Sequence, residues 1–180
     1  MRVLGLDPGS RRTGFAVVEG EGNRFRSLKH GRAVPPARLG LPERLHAIAA
    51  RVGEIMDEFT PDCVAVEEAF YHESVRSTLV LGHVRGALLV AAVSRGFAVA
   101  EYTPREIKLS VTGHGGASKQ QVAFMVQRVL DVKGAIPEDA SDALAIALCH
   151  HHRVRLRAPS RVASAGARAL EALLARKRPA

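Results

Sequence analysis

Apolar residues along the chain fall into short runs that predict strands and longer periodic stretches that predict helices. Residues 3–6 form an apolar run that ends in Asp7, as in a strand covered on both faces. Residues 13–18 predict a second strand that folds back as a hairpin. Further strands are predicted over residues 24–33, where the pattern is weak, 62–68 and 97–102.

Helical spacing is clearest over residues 41–59, where apolar side chains recur every three or four positions and Pro42 suits the first turn. Residues 74–96 predict a second long helix whose later part is apolar nearly all round. Ser118 is a suitable N-cap for a later helix. Shorter helices are predicted over residues 104–110, 118–130 and 137–152, with a glycine-rich loop over residues 111–117.

Two of the predicted strands end in acidic residues. The helix between the first strand and the strand over residues 62–68 forms a right-handed crossover, so both strands are parallel and end at one edge of the sheet. In open α/β sheets, sites form at that edge. Asp7 therefore lies near Glu67 or Glu68, which point to opposite faces of their strand. The pattern itself does not choose between the two glutamates.

Charge is distributed unevenly along the 180 residues. The net charge is +8, and residues 153–180 alone contain eight Lys or Arg and one acid. We therefore expect one α/β domain over residues 1–152, followed by a basic, mobile tail over residues 153–180. Such a tail suits nucleic acid or another polyanion, and the alternative is a solvated tail that aids solubility.

Cysteine usage and hydropathy point to a cytoplasmic protein. Cys63 and Cys149 lie far apart in apolar contexts and are predicted to be reduced core thiols. We expect no apolar run that approaches the roughly 20 residues of a membrane span, and the first residues lead into a strand rather than a signal peptide. We therefore expect no membrane association.

A pair of acids on the last predicted helix completes a set of four carboxylates. Asp139 and Asp142 are three residues apart and share one helix face. If they converge with Asp7 and a strand-end glutamate, either their pKa values rise or cations lie among them. Oxygen ligands alone suit Mg²⁺ or Mn²⁺, and two such ions roughly 4 Å apart serve phosphodiester hydrolysis. With the basic tail, this predicts a nuclease.

Two further patterns have competing interpretations. Gly82 and Gly86 form a GxxxG spacing, which serves either tight packing on the sheet or, as we favour, contact with a partner subunit. The run His150 to His152 lacks a second Cys/His pair at zinc-ligand spacing. Cationic histidines at a helix C-terminus are the favoured interpretation of that run.

Four motifs in order resemble the RuvC family of bacterial Holliday junction resolvases. They are LGLDPGSRRTG, then AVEEAF at 65–70, KLSVTGHGGASKQQV at 108–122 and DASDALAIALCH at 139–150, and the resemblance runs from Met1 to about His152. It implies a ribonuclease H-like α/β fold: a five-stranded mixed sheet, its first three strands antiparallel, with helices on both faces. It also implies paired cleavage of four-way DNA junctions that leaves 5′-phosphate and 3′-hydroxyl ends.

The resemblance assigns roles to individual residues. It favours Glu67 over Glu68 as the metal ligand, because the family's acid precedes x-x-Phe. The matching catalytic and metal-binding residues are Asp7, Glu67, Asp139 and Asp142, with two Mg²⁺ or Mn²⁺ ions per site. The residues expected to contact DNA are Lys108 and Lys119 near the scissile phosphate, Phe70 or its neighbour Tyr71 stacking at the junction centre, and Arg76.

The resemblance also indicates partners, and two other functions compete with it. The family forms homodimers, which we expect here through the helix over residues 74–96, and whether a branch-migration motor complex docks on the dimer stays open. A RuvC-like nuclease that acts on ribosomal RNA would share the fold. An actin-like ATPase also has an aspartate turn after its first strand, but this chain has only one such unit.

Overall fold

The computed structural model describes residues 1–22, 24–68 and 74–157. Five strands and five helices follow one another along this part of the chain. The strands are β1 (Arg2–Asp7), β2 (Thr13–Glu21), β3 (Arg24–Ala33), β4 (Cys63–Glu67) and β5 (Ala98–Tyr102). The helices are α1 (Leu41–Phe59), α2 (Val75–Val93), α3 (Pro104–Thr112), α4 (Lys119–Leu130) and α5 (Glu138–Arg157).

The strands form one mixed sheet in the order β3-β2-β1-β4-β5. β1 pairs antiparallel with β2, and β2 pairs antiparallel with β3. β4 is parallel to both β1 and β5. The predicted five-stranded mixed sheet with three antiparallel leading strands is therefore confirmed.

Helices cover both faces of the sheet, as predicted. On one face, side chains such as Leu4 and Val64 pack against Ile48 of α1 and Leu88 of α2. On the other face, residues such as Val3 pack with α3, α4 and α5. Because β1 is covered on both sides, its four central residues are buried, which explains their continuous apolar run.

Local signals in the sequence fix several helix ends. Pro42 lies in the first turn of α1. The hydroxyl of Ser118 accepts a hydrogen bond from the Gln121 backbone N–H, and the Gln121 side chain accepts one from the Ser118 N–H in a capping box. α3 extends two residues beyond its predicted end, because Gly113 adopts the left-handed conformation that closes it.

The last helix runs beyond the predicted boundary at His152 and reaches Arg157. The expectation of cationic histidines at a helix C-terminus is wrong for two of the three residues. His150 and His151 are buried, and burial lowers the pKa of His151. The ring of His151 hydrogen-bonds the Val18 carbonyl, and the ring of His150 lies 2.9 Å from the Tyr102 hydroxyl. Both histidines are therefore core groups rather than a charged helix terminus, and burial favours the neutral form of His151.

α2 corrects the expectation that no apolar run approaches the length of a membrane span. This 19-residue helix is long and apolar enough to cross a membrane by length and composition, and 22% of its most apolar 18-residue window is buried. Core helices of soluble proteins meet the same criterion. Here the helix covers one face of the sheet through Val84 and Leu88 and leaves other apolar side chains exposed.

Both cysteines are free and buried, as the sequence predicts. Burial raises the pKa of each thiol to about 11. The thiols are therefore protonated at neutral pH and behave as small apolar side chains.

Candidate active site

The candidate site lies where β1 and β4 end side by side. Leu6 pairs with Val66 in the parallel ladder, and the next residues along the two strands are Asp7 and Glu67. The Asp7 and Glu67 carboxyl groups are close enough that the charge of Glu67 raises the pKa of Asp7. Parallel strands thus bring two carboxylates, far apart in sequence, to one edge of the sheet, as the crossover argument predicted.

Glycines on the strands let α5 bring its acids against this edge. A Cβ on Gly14, which pairs with Asp7, would overlap the backbone oxygen of Asp139. A Cβ on Gly5 would overlap the backbone oxygen of Ala143. Because both glycines lack side chains, the first turns of α5 lie directly on β1 and β2.

The four predicted acids line a single pocket of about 340 Å³. Its polar wall consists of Asp7, Glu67, Lys108, Lys119, Glu138, Asp139 and Asp142. Its apolar wall consists of Pro104, Ile107, Val122, Ala145 and Ile146. Carboxylates and two lysines therefore face the same space between the sheet edge, α3, α4 and α5.

Burial and mutual repulsion raise the pKa values of three of these acids. Burial, followed by the charges of Glu67, Asp142 and Asp139, raises the pKa of Asp7 to about 8. Burial and then the Asp142 charge raise the pKa of Glu67, and burial is also the main cause of the raised pKa of Asp142. Without added cations, Asp7 therefore keeps its proton at neutral pH in most molecules.

Cations of the chain offset part of this negative charge. Lys119 Nζ lies 2.8 Å from Glu138 Oε1 and 3.7 Å from Asp142 Oδ2. Its hydrogen bond to Glu138 is the main cause of its raised pKa. A second cation, Arg32 of β3, approaches Asp139, with 3.9 Å between Arg32 Nη1 and Asp139 Oδ2.

The donor set fits a hard divalent cation, since all four acids present oxygen ligands. Burial and then the neighbouring carboxylates raise the pKa of Asp7, and divalent ions bound there would favour its charged form. In the described ranges, no three His, Cys, Asp or Glu side chains already form a group that could hold a metal ion. Metal binding therefore requires the side chains to turn toward one another.

The structure separates Glu67 from Glu68. Glu67 lines the pocket, whereas Glu68 does not. The Glu68 backbone N–H donates to the Tyr102 carbonyl oxygen and continues the pairing of β4 with β5. Of the residues expected to contact DNA, Arg76 is exposed in the first turn of α2. Phe70 and Tyr71 lie outside the described residues.

Three features of the site were missed from the sequence. Glu138 holds Lys119, Arg32 approaches Asp139, and Gly14 makes room for the Asp139 backbone. The proximity of Glu138 to Asp139 along the chain was a usable signal. Arg32 and Gly14 depend on the register of three strands, which the periodicity of their sequences does not fix.

Comparison with protein families gives one match over nearly the whole described part. Residues 3–150 match the family model described as crossover junction endodeoxyribonuclease RuvC. The RuvC protein of Syntrophomonas wolfei is 42% identical over 157 residues, which cover 87% of this chain and 91% of the relative. That of Bordetella parapertussis is 48% identical over 152 residues, or 84% of each chain.

Solved structures agree with the sequence comparisons. Thermus thermophilus RuvC in complex with a Holliday junction substrate superposes with a TM-score of 0.82 at 38% identity, over 87% of this chain and 96% of the other. The yeast mitochondrial Holliday junction resolvase Ydc2 shares the fold at 14% identity, with a TM-score of 0.62 over 84% and 78% of the two chains. Neither the ribosomal-RNA nuclease nor the actin-like ATPase alternative is supported. The chain belongs to the RuvC family of crossover junction endodeoxyribonucleases.

Proposed function

We propose that this chain resolves four-way DNA junctions by paired, metal-dependent hydrolysis of phosphodiester bonds, during recombination and repair. The observation that carries the proposal is the gathering of four carboxylates and two lysines around one pocket. A relative that is 38% identical was solved with a Holliday junction substrate, which supports the same substrate here. The products are 5′-phosphate and 3′-hydroxyl ends.

The proposed metal ligands are Asp7, Glu67, Asp139 and Asp142, holding two Mg²⁺ or Mn²⁺ ions. Bound there, such ions would activate the attacking water and stabilise the leaving 3′ oxygen. The residues of the chain prepare the site for them. Asp7 gives up its proton, and Asp139 and Asp142 turn away from Arg32 and Lys119 toward the strand-end acids. Preparation of the site therefore consists of replacing the proton and the side-chain cations that neutralise these acids with divalent ions.

The two lysines of the pocket act on the DNA phosphate. Lys108 lies on α3 and Lys119 on the first turn of α4, and both line the pocket beside the acids. Their compact ammonium groups stabilise negative charge as it grows on the phosphate in the transition state. Before the DNA arrives, the Lys119 ammonium donates a hydrogen bond to Glu138, which it exchanges for the phosphate.

Contacts away from the cut strand are proposed for three residues. Phe70 or Tyr71 stacks on unpaired bases at the junction centre, since base stacking on aromatic rings tolerates any sequence. Arg76, exposed at the start of α2, contacts the backbone. The basic segment over residues 153–180 adds sequence-independent affinity. Removing residues 158–180 should weaken binding and reduce its salt dependence.

A homodimer through α2 is proposed from one exposed stripe of that helix. Residues 75, 79, 82, 86, 90 and 93 follow helical spacing and therefore lie on one side. Val75, Leu79, Val90 and Val93 are each at least 60% exposed. Among the described residues, no atom beyond the helix's own backbone lies within 4 Å of the Cβ position of Gly82 or Gly86, so sheet packing does not account for these glycines. The opposite side carries Val84 and Leu88 into the core.

Light scattering at micromolar concentration tests the dimer, and a monomeric mass would contradict it. Two other expectations stay predictions that the fold does not address. They are a cytoplasmic location and the docking of a branch-migration motor.

Junction cleavage by matched acid variants tests the proposed chemistry. Asp7→Asn and Glu67→Gln should bind a four-way junction without cutting it in Mg²⁺, because each removes a ligand. Glu68→Gln is the matched control, one residue away and outside the pocket, and should still cut. Equal loss of cleavage in Glu68→Gln and Glu67→Gln would contradict the assignment of Glu67. Cleavage of RNA with no action on the DNA junction would contradict the proposed substrate.

A further inference from the structure

Arg32 lies in the same cross-strand row as Asp7. Asp7 pairs with Gly14 across β1 and β2, and Gly14 pairs with Arg32 across β2 and β3. Directly paired residues point to the same face of a sheet. Arg32 therefore shares both the face and the edge of the candidate site, two strand spacings, or about 10 Å, from Asp7.

The intervening glycine opens the space between Arg32 and the acids. Because Gly14 has no side chain, the backbone of Asp139 occupies the row between Asp7 and Arg32. Arg32 reaches the Asp139 carboxylate from the far side, with 3.9 Å between Nη1 and Oδ2. Charge-assisted hydrogen bonds are shorter, about 2.7–2.9 Å, so this contact is a loose ion pair.

The guanidinium of Arg32 has donors to spare. About a third of its side chain (37%) is exposed, and no shorter side-chain polar contact is made to the residues that the structure describes. An exposed ion pair contributes little to stability, so exchanging this partner costs little. Asp139 is also a proposed metal ligand, and its turning toward a metal would release Arg32.

The two ends of the sheet edge carry cations on either side of the acids. Lys108 lies on α3, directly after β5, which is one end of the sheet. Arg32 lies on β3, which is the other end. A DNA strand that crosses the acids along this edge would meet Lys108 on one side and Arg32 on the other. Guanidinium suits the second position, because its fork matches a phosphate bidentately.

We propose that Arg32 binds the DNA backbone at a phosphate on the β3 side of the scissile bond, exchanging Asp139 for that phosphate. The inference rests on the proposed function and adds a contact on the side of the acids that faces β3. Arg32 is thus a positioning residue that fixes the path of the cut strand over the site. The alternative is that Arg32 only neutralises Asp139.

Salt dependence of junction binding separates these roles. We would measure the anisotropy of a labelled four-way junction with the full chain in EDTA, from about 50 to 200 mM salt. Arg32→Gln should make the slope of log affinity against log salt less negative by about 0.9 for each phosphate that the arginine neutralises. It should also lower affinity severalfold. Arg26→Gln is the matched control, because Arg26 is an exposed, ion-paired arginine on the same strand, bound to Glu19 at 2.8 Å.

A slope for Arg32→Gln equal to that of the Arg26→Gln control would overturn the inference. Arg32→Lys keeps the charge and should restore the slope while affinity stays below that of the parent, which a misfolded protein would not show. Asp139→Asn should strengthen metal-free binding when Arg32 is present and do so less in Arg32→Gln. A parent that neither binds nor cuts the junction would overturn the proposed function as well. A parent that does both, with an unchanged Arg32→Gln slope, would overturn only the role of Arg32.

Discussion

Helices α5 and α2 have similar lengths and similar supplies of small residues, yet those residues meet very different surroundings. On α5, Ala143 and Ala147 contact Gly5 of β1 so closely that a single Cβ would overlap the helix backbone. On α2, the two glycines of the GxxxG spacing meet no other part of the described structure within 4 Å of the Cβ position. One set of small residues joins a helix to its own sheet, and the other faces away from the sheet and helices that the structure describes.

The difference shows that small residues on a helix predict that another backbone comes close, but do not predict which element that backbone belongs to. In α5 the partner is the sheet, and the result is a site where four carboxylates share one pocket. In α2 the glycine stripe lies opposite the buried Leu88, and no described residue of the chain packs on it, which is why we propose a partner subunit there. Breaking each contact should therefore affect different properties, folding for α5 and association for α2.

The largest effect is expected at the contact between α5 and β1. Gly5→Ala places a Cβ against the backbone of Ala143 and Ala147, and backbone atoms cannot rotate away. We expect the free energy of unfolding to fall by about 3 kcal/mol or more, measured by urea denaturation. A change within about 0.5 kcal/mol would contradict the close approach of α5.

The fold was largely predictable because the local signals for turns and helix ends agreed with the spacing of apolar residues. The apolar run of β1, the crossover through α1 and the capping box at Ser118 each pointed to the observed structure. The end of α5 was misplaced because the three histidines look like a polar terminus. In the structure two of them are buried core groups, since hydrogen bonds to Val18 and Tyr102 satisfy their rings.

The candidate site was predictable as a set of acids, but its supporting contacts were not. Strand ends and helix spacing place Asp7 and Asp142 without knowledge of the register. Arg32 is different, because its approach to Asp139 depends on pairing across three strands and on an empty position at Gly14. A one-residue slip of β3 would move Arg32 to the opposite face.

The next effect concerns Asp7, whose burial beside other carboxylates makes the stability of the protein depend on pH. The pKa of Asp7 is about 8 in the folded, metal-free protein and 3.8 as an unperturbed group. The folded state thus keeps a proton that the unfolded state loses, so stability falls as pH rises from about 4 to 8. Asp7→Asn should be more stable than the parent by about 2 kcal/mol or more at pH 8, a difference that shrinks toward pH 4.

Urea unfolding in EDTA at several pH values measures this difference. Asp57→Asn is the control, since Asp57 is an exposed, ion-paired acid on α1. Its difference from the parent should not grow with pH. Adding Mg²⁺ should stabilise the parent more than Asp7→Asn, because a metal binds the folded state with the carboxylate present. A pH-independent stability difference for Asp7→Asn would contradict the raised pKa.

On α2, one substitution should move folding and association in opposite directions. Gly82→Ala should stabilise the monomer by about 0.5–1 kcal/mol, because glycine is a poor helix former and its Cβ position is open. The added methyl separates the two helices of the proposed dimer, so the dimer dissociation constant should rise severalfold in analytical ultracentrifugation. Ser77→Ala, off the stripe, should leave it unchanged. An unchanged constant for Gly82→Ala would place the dimer contact elsewhere.

The smallest effect is expected at the first turn of α5, where the contact with DNA depends on charge rather than on packing. Glu138→Gln weakens the hold on Lys119 Nζ and removes a negative charge from the pocket rim. Stability should be nearly unchanged, because both side chains are largely exposed. Junction affinity measured by anisotropy should rise about two- to threefold, since Lys119 becomes available to phosphate. Glu54→Gln, an exposed and ion-paired acid on α1, should leave affinity unchanged. A fall in affinity would show instead that Glu138 is needed to hold Lys119 in place for the DNA.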